Sequence, residues 1–112
     1  MGKKEANIKV IIVEPQKPAR VEMIKNDLET LQTLVGGYIE YIKEDGFDII
    51  INEEGKLFEL EPNFAIYGGQ DYIVGTAVFA GVDYKKGESK SLTDKQIETI
   101  LFAFGGREHL SW

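Results

Sequence analysis

Apolar and polar positions along the chain change rhythm several times, and each change marks an element. Ile8 to Val13 is a continuous β-branched run bounded by polar residues. Such a run predicts a strand covered on both faces. Glu14-Pro15-Gln16-Lys17-Pro18 breaks it, because each proline lacks a donor and pushes the residue before it toward extended geometry. Ala19 to Ile24 then either resumes as an extended segment or begins the next helix early; the alternation of Val21 and Met23 favours the extended form. From Asn26 the period becomes helical. Asn26 is a good N-cap, with Glu29 placed three residues on to complete a capping-box-like pair. Leu28, Leu31, Leu34 and Val35 form one apolar stripe. Gly36-Gly37 supplies a left-handed stop that a β-branched residue would adopt only at a cost.

Tyr38 to Ile42 has strong β-propensity and ends in Lys43-Glu44-Asp45-Gly46, a four-residue link of the hairpin kind with glycine last. Phe47 to Ile51 is its partner strand. Asn52-Glu53-Glu54-Gly55 gives a second tight reversal, and Leu57, Phe58 and Leu60 are expected to carry a short third strand stopped by Pro62. Asn63 to Ile66 is read as one turn of helix, followed by a loop from Tyr67 to Asp71. Tyr72 to Val82 is the longest β-like run. Gly75 and Gly81 inside it mark a bulge or a close backbone approach. Asp83 to Lys90 reads as a loop. Thr93 and Gln96 then form a capping box, ahead of a helix whose buried stripe is Ile97, Ile100, Leu101 and Phe104. Gly105-Gly106 ends that helix, and 107–112 is a tail in which Trp112 either folds back onto apolar surface or frays.

This order predicts an α+β fold: a mostly antiparallel sheet, arranged as a β-meander, with two helices packed on one face. At 112 residues the chain fits one domain, 1–112, with a core of about 8–104 and tails at 1–7 and 107–112.

Composition narrows the function classes. A hydrophobic content of 43% is enough for a core and too high for a disordered chain. No apolar run approaches the ~20 residues of a membrane helix, and the N-terminus lacks a small-residue cleavage pattern. With no cysteine, disulfides, thiolate nucleophiles and cysteine metal sites are all excluded, and a cytoplasmic location is expected. Thirteen basic against 19 acidic residues leave a net charge of −6. That sign disfavours direct nucleic-acid binding, whose affinity rests on phosphate neutralisation. It suits solubility, a basic partner or mimicry of DNA.

Candidate chemistry is sparse. The single histidine, His109, lies in the tail, so neither a metal centre nor a Ser–His pair is expected. No phosphate-cradling glycine loop precedes a helix, since both double glycines follow one. No catalytic set and no cofactor is expected. Glu40, Glu53 and Glu54 are carboxylates suited to acid–base work or cation binding, against the alternative of exposed turn chemistry. Tyr38, Tyr41, Tyr67 and Tyr72 either flank the glycine loops, where they would stack on a planar ligand or form an interface, or lie half-buried on the sheet.

The segments LETLQTLVGGYIE, NEEGKLFEL, PN, VGTAVF and SLTDKQIE resemble, in that order, the DUF3846 family. These are small proteins of unknown function common in phages, plasmids and related bacterial mobile elements. The glycine-bearing motif falls on Val35, Gly36, Gly37, Tyr38, Ile39 and Glu40, and the turn motif on Asn52, Glu53, Glu54 and Gly55. Gln16 stands where the family usually has a glycine after the first proline. The resemblance implies an intracellular bacterial or phage setting and an accessory role, but no reaction. A non-enzymatic domain that binds a small ligand or a host protein is therefore expected, with Gly36, Gly37, Tyr38, Glu40, Asn52, Glu53, Glu54 and Gly55 as its site. The alternatives are an acidic DNA mimic, or an enzyme with Glu40 or Glu53 as general base. Homo-oligomer formation fits all three readings, because a short sheet has edges to cover.

Overall fold

A computed structural model describes residues 5–104. It contains strands β1 (Asn7–Val13) and β2 (Arg20–Lys25), helix α1 (Leu28–Val35), then β3 (Ile39–Lys43) and β4 (Phe47–Asn52). These are followed by β5 (Pro62–Ile66), β6 (Asp71–Val74), β7 (Ala77–Asp83), β8 (Glu88–Lys90) and helix α2 (Asp94–Phe104). The class is the expected one, α+β with a mostly antiparallel sheet. The main sheet has six strands in the order β2-β1-β7-β4-β3, with β8 also paired to β7, while β5 and β6 form a separate hairpin sheet. The order is therefore not a simple meander. The hairpins β1–β2 and β3–β4 are spread apart, and β7 is inserted between them, pairing with β1 and β4.

The helices lie on opposite faces of this sheet, where a single helical face was expected. Leu31 and Val35 of α1 pack with Ile8, Val10, Ile12, Ile50 and Val78. Ile100 and Phe104 of α2 pack with Ile11, Val13, Ile49 and Phe79, joined by Phe64, Ile66 and Ile73 from the small sheet. The physical reason is in the strands. A sheet with one wet face needs alternating polarity, but β1, β4 and β7 carry consecutive apolar residues that are fully buried. Both faces therefore require a cover. The α2 side centres on Phe79, whose ring lies 5.5 to 6.0 Å from those of Phe47, Phe64 and Phe104.

Several local expectations also change. The N-cap of α1 is Asp27, whose Oδ1 accepts from the Thr30 amide at 2.8 Å. Asn26 is drawn away to close the sheet: its backbone N–H donates to Ala6 O at 2.9 Å and its Nδ2 to Ser89 O at 3.0 Å. Leu28 consequently starts the helix on its exposed side. Residues 53–59 form consecutive turns instead of a third strand, leaving Leu57 and Phe58 exposed. Asn63 to Ile66 belongs to β5 and is not helical, because Phe64 and Ile66 alternate into the core. Gly75, at φ +74°, separates β6 from β7 within the run expected to be one strand. Gly81 is a close approach as foreseen: a Cβ there would sit 2.7 Å from Ser91 O. Lys17 donates back to Glu14 O at 3.2 Å and Gln16 has φ +61°, the type II pattern that prefers glycine after proline. The Thr93–Gln96 capping box is present in both directions, at 2.9 and 3.1 Å. Gly105-Gly106, His109 and the 107–112 tail lie outside the described residues.

Candidate functional site

The eight residues singled out from sequence meet where α1 ends and β4 ends, and they divide into two groups. Gly36, Gly37, Asn52 and Gly55 form a tied corner. Gly36 takes the left-handed conformation at φ +82° and donates to Gln32 O at 2.8 Å, closing the helix. Asn52 is buried. Its Nδ2 donates to Val35 O at 3.1 Å, and its Oδ1 accepts from the Glu54 amide at 2.8 Å. One side chain thus satisfies a carbonyl that the helix end leaves open and a donor that the turn leaves open. Gly37 lets Asn52 in, since a Cβ there would lie 2.9 Å from Nδ2. At Gly55 a Cβ would meet Val74 Cγ2 at 2.8 Å.

Tyr38, Glu40, Glu53 and Glu54 are the outward group. Tyr38, Glu40 and Glu53 are exposed and Glu54 is half-buried; Tyr38 O accepts from the Glu53 amide at 2.8 Å, which holds the two segments side by side. Glu40, Glu53 and Glu54 line a groove of about 400 Å³ together with Lys56, Leu57, Asp71 and Tyr72. Lys56 is ion-paired with Asp71 and sits 4.5 Å from the Tyr72 ring centroid. Its hydrogen bond holds the Asp71 carboxyl below the usual value, with help from the Tyr72 amide. Asp71 in turn holds the Lys56 ammonium above its own. This is a charged, open surface that can attract and orient, but it has no closed low-dielectric interior in which a carboxylate would become a base.

The other face of the β3–β4 hairpin carries a second groove, of about 560 Å³, which sequence reasoning missed. Register decides the division. Glu40 and Ile42 pair with Ile51 and Ile49 toward α2, whereas Tyr41 and Lys43 pair with Ile50 and Asp48 toward α1. Asp48 is 4% exposed. Its Oδ2 accepts from Lys43 Nζ at 3.3 Å, and its Oδ1 has no hydrogen-bond partner among the described residues. Burial, and then the charge of Asp48, push the Tyr41 hydroxyl's pKa upward, opposed by Lys43. The missed signal was an aspartate inside the otherwise apolar run Phe47 to Ile51.

These features define a small α+β domain built on a six-stranded antiparallel sheet with a glycine–asparagine corner. The chain belongs to the DUF3846 family, a domain of unknown function, whose model matches residues 8–105. No curated protein and no solved structure matches the chain.

Proposed function

We propose that this is a non-catalytic binding domain that engages a protein partner through the surface around Glu40, Glu53 and Glu54. The carrying observation is an acidic groove that has exposed apolar side chains in its lining and on residues next to the lining in the chain. Leu57 is 73% exposed and Phe58 61%. Leu57 and Tyr72 line the groove itself, and Tyr38 is bonded through its carbonyl to Glu53. Scattered exposed apolar residues need no explanation, but a cluster rimmed by charge is the composition of an interface. Its exposed apolar side chains favour a protein partner, and its carboxylates favour a basic one. The alternative with Glu40 or Glu53 as general base loses its motive, since both are exposed. Among the described residues no helix is long and apolar enough to cross a membrane. The mobile-element setting implied by the family supports an accessory role inside the bacterial cell, such as countering a host defence.

The test is photo-crosslinking in the producing cell, with the reactive residue placed at Phe58 or, as control, at Met23. Met23 is equally apolar and exposed, at 59%, but sits on the far edge strand β2. A discrete adduct from position 58 alone is expected. No adduct from 58, or the same adducts from both positions, would overturn the assignment.

A further inference from the structure

The Asp48 groove has no part in that reading, and its chemistry points elsewhere. A buried carboxylate oxygen without a donor is destabilising, because its lost hydration is not replaced. The bond made by the other oxygen, at 3.3 Å, is long beside the ~2.7–2.9 Å of a charge-assisted pair. Lys43 is directly opposite Asp48 on the neighbouring strand, and its ammonium reaches one oxygen and not both. Its side chain is 71% exposed, which leaves it free to swing away.

The Lys43 ammonium also lies 4.9 Å from the Tyr41 ring centroid, within cation–π range. Tyr84 stands on the same groove, its hydroxyl fixed by accepting from the Gly46 amide at 2.8 Å. A carboxylate and one aromatic ring, Tyr41, are thus already arranged around one alkylammonium, with Tyr84 on the same groove. Charge settles the sign of any other occupant. The lining has four carboxylates, Asp27, Glu44, Asp48 and Glu88, against the single ammonium of Lys43. The N-terminus of α1 also opens here, but Asp27 caps it, which offsets the partial positive charge that would otherwise attract an anion. The groove volume of about 560 Å³ lies within the ~300–1,000 Å³ common for ligand sites.

We propose that this groove is a binding site for a primary alkylammonium group, with Asp48 as counter-ion and Tyr41 and Tyr84 as flanking rings. The ligand's ammonium takes the position of the Lys43 ammonium. Free of the strand, it closes on Oδ2, the oxygen that Lys43 holds only at 3.3 Å, while Lys43 swings outward. The group can come from a free diamine or from a lysine side chain of a peptide, which share this chemistry.

The experiment is a titration of the full chain followed by backbone amide NMR at constant ionic strength, with cadaverine in one arm and acetyl-Gly-Lys-Gly-amide in the other. 1-Pentanol and sodium chloride serve as controls. Saturable shifts confined to Tyr41, Asp48 and Tyr84 are expected with at least one amine and with neither control. The tighter arm identifies the source. Asp48→Asn is expected to weaken that arm about tenfold or more, the scale of one lost charge-assisted contact, while Lys43→Met, by removing the internal competitor, tightens it. Should Asp48→Asn fail to fold, Tyr84→Ala takes its place, since that ring is exposed, and about a threefold loss is expected from the missing ring contact. Shifts spread over all acidic residues without saturation, equal affinity in the variants, or no binding of either amine would each overturn the proposal.

Discussion

The two faces of the β3–β4 hairpin carry acids in opposite circumstances. Toward α2, Glu40 and Glu53 are exposed, and the nearby Lys56–Asp71 pair sits in solvent. Toward α1, Asp48 is buried with one oxygen unanswered. Side chains that alternate along a strand point to opposite faces, so a shift of one residue separates a surface of weak, screened charges from a site where one charge carries a large desolvation cost. The family signature lies on the first face and at the corner beside it; Asp48 lies outside it. The signature residues Gly36, Gly37, Asn52 and Gly55 hold the chain's shape, and the unexplained electrostatics are elsewhere.

The largest expected effect tests the structural half of that contrast. Asn52→Leu leaves Val35 O and the Glu54 amide without their partner. Two groups at ~1–3 kcal/mol each put the loss near 3 kcal/mol, read as a lower urea midpoint with an unchanged slope. Glu53→Gln, one residue away and exposed, should stay within about 0.5 kcal/mol. If Asn52→Leu kept full stability while abolishing the Phe58 crosslink, Asn52 would be a contact residue and the division of the motif would be wrong.

Next in size is the pair on the opposite face. Lys43→Met strands a buried carboxylate, which for a fully buried pair costs ~3–5 kcal/mol. The exposed lysine stem lowers the expectation to about 2 kcal/mol. Adding Asp48→Asn to the same chain removes the stranded charge, so the double variant should regain most of that loss. A double-mutant cycle in urea measures this coupling. Additive single effects would mean that water reaches Asp48 freely, removing the basis of the ammonium site as well.

How much of this was legible in the sequence follows from the range of each interaction. Local signals were readable: Gly36 as a left-handed stop, Thr93 and Gln96 as a capping box, and the β3–β4 hairpin from its link. Long-range choices were not. Asn26 gave way to Asp27 as cap because its amide is claimed by Ser89, 63 positions away. The segment carrying Leu57 and Phe58 bonds to itself instead of to a strand, Phe58 N to Glu54 O and Leu60 N to Gly55 O, and its apolar residues alone did not show that choice. The two-sided cover of the sheet was written in the unbroken runs of β1 and β7, yet the helices were assigned to one face. The outward residues Glu40, Glu53 and Glu54 do share a groove as their motif suggested, but with Lys56 from the turns after β4 and with Asp71 and Tyr72, the last two brought in by the small β5–β6 sheet that nothing local announced.

The smallest effect is expected at the Lys56–Asp71 pair itself. Its hydrogen bond lowers the folded-state pKa of Asp71, so protonation is harder in the folded chain than in the unfolded one. Any stabilisation it contributes is present above the unfolded-state value and disappears as pH falls through the folded one. Asp71→Asn should therefore leave the neutral-pH midpoint nearly unchanged and slightly flatten the decline from about pH 5 to about pH 2, where carboxylates titrate. Raising salt should erase even that difference, because water screens an exposed pair. A salt-insensitive loss on Asp71→Asn would show that this face is less open than its neighbours suggest. The protein-binding surface would then have to be redrawn around a buried ion pair rather than a charged rim.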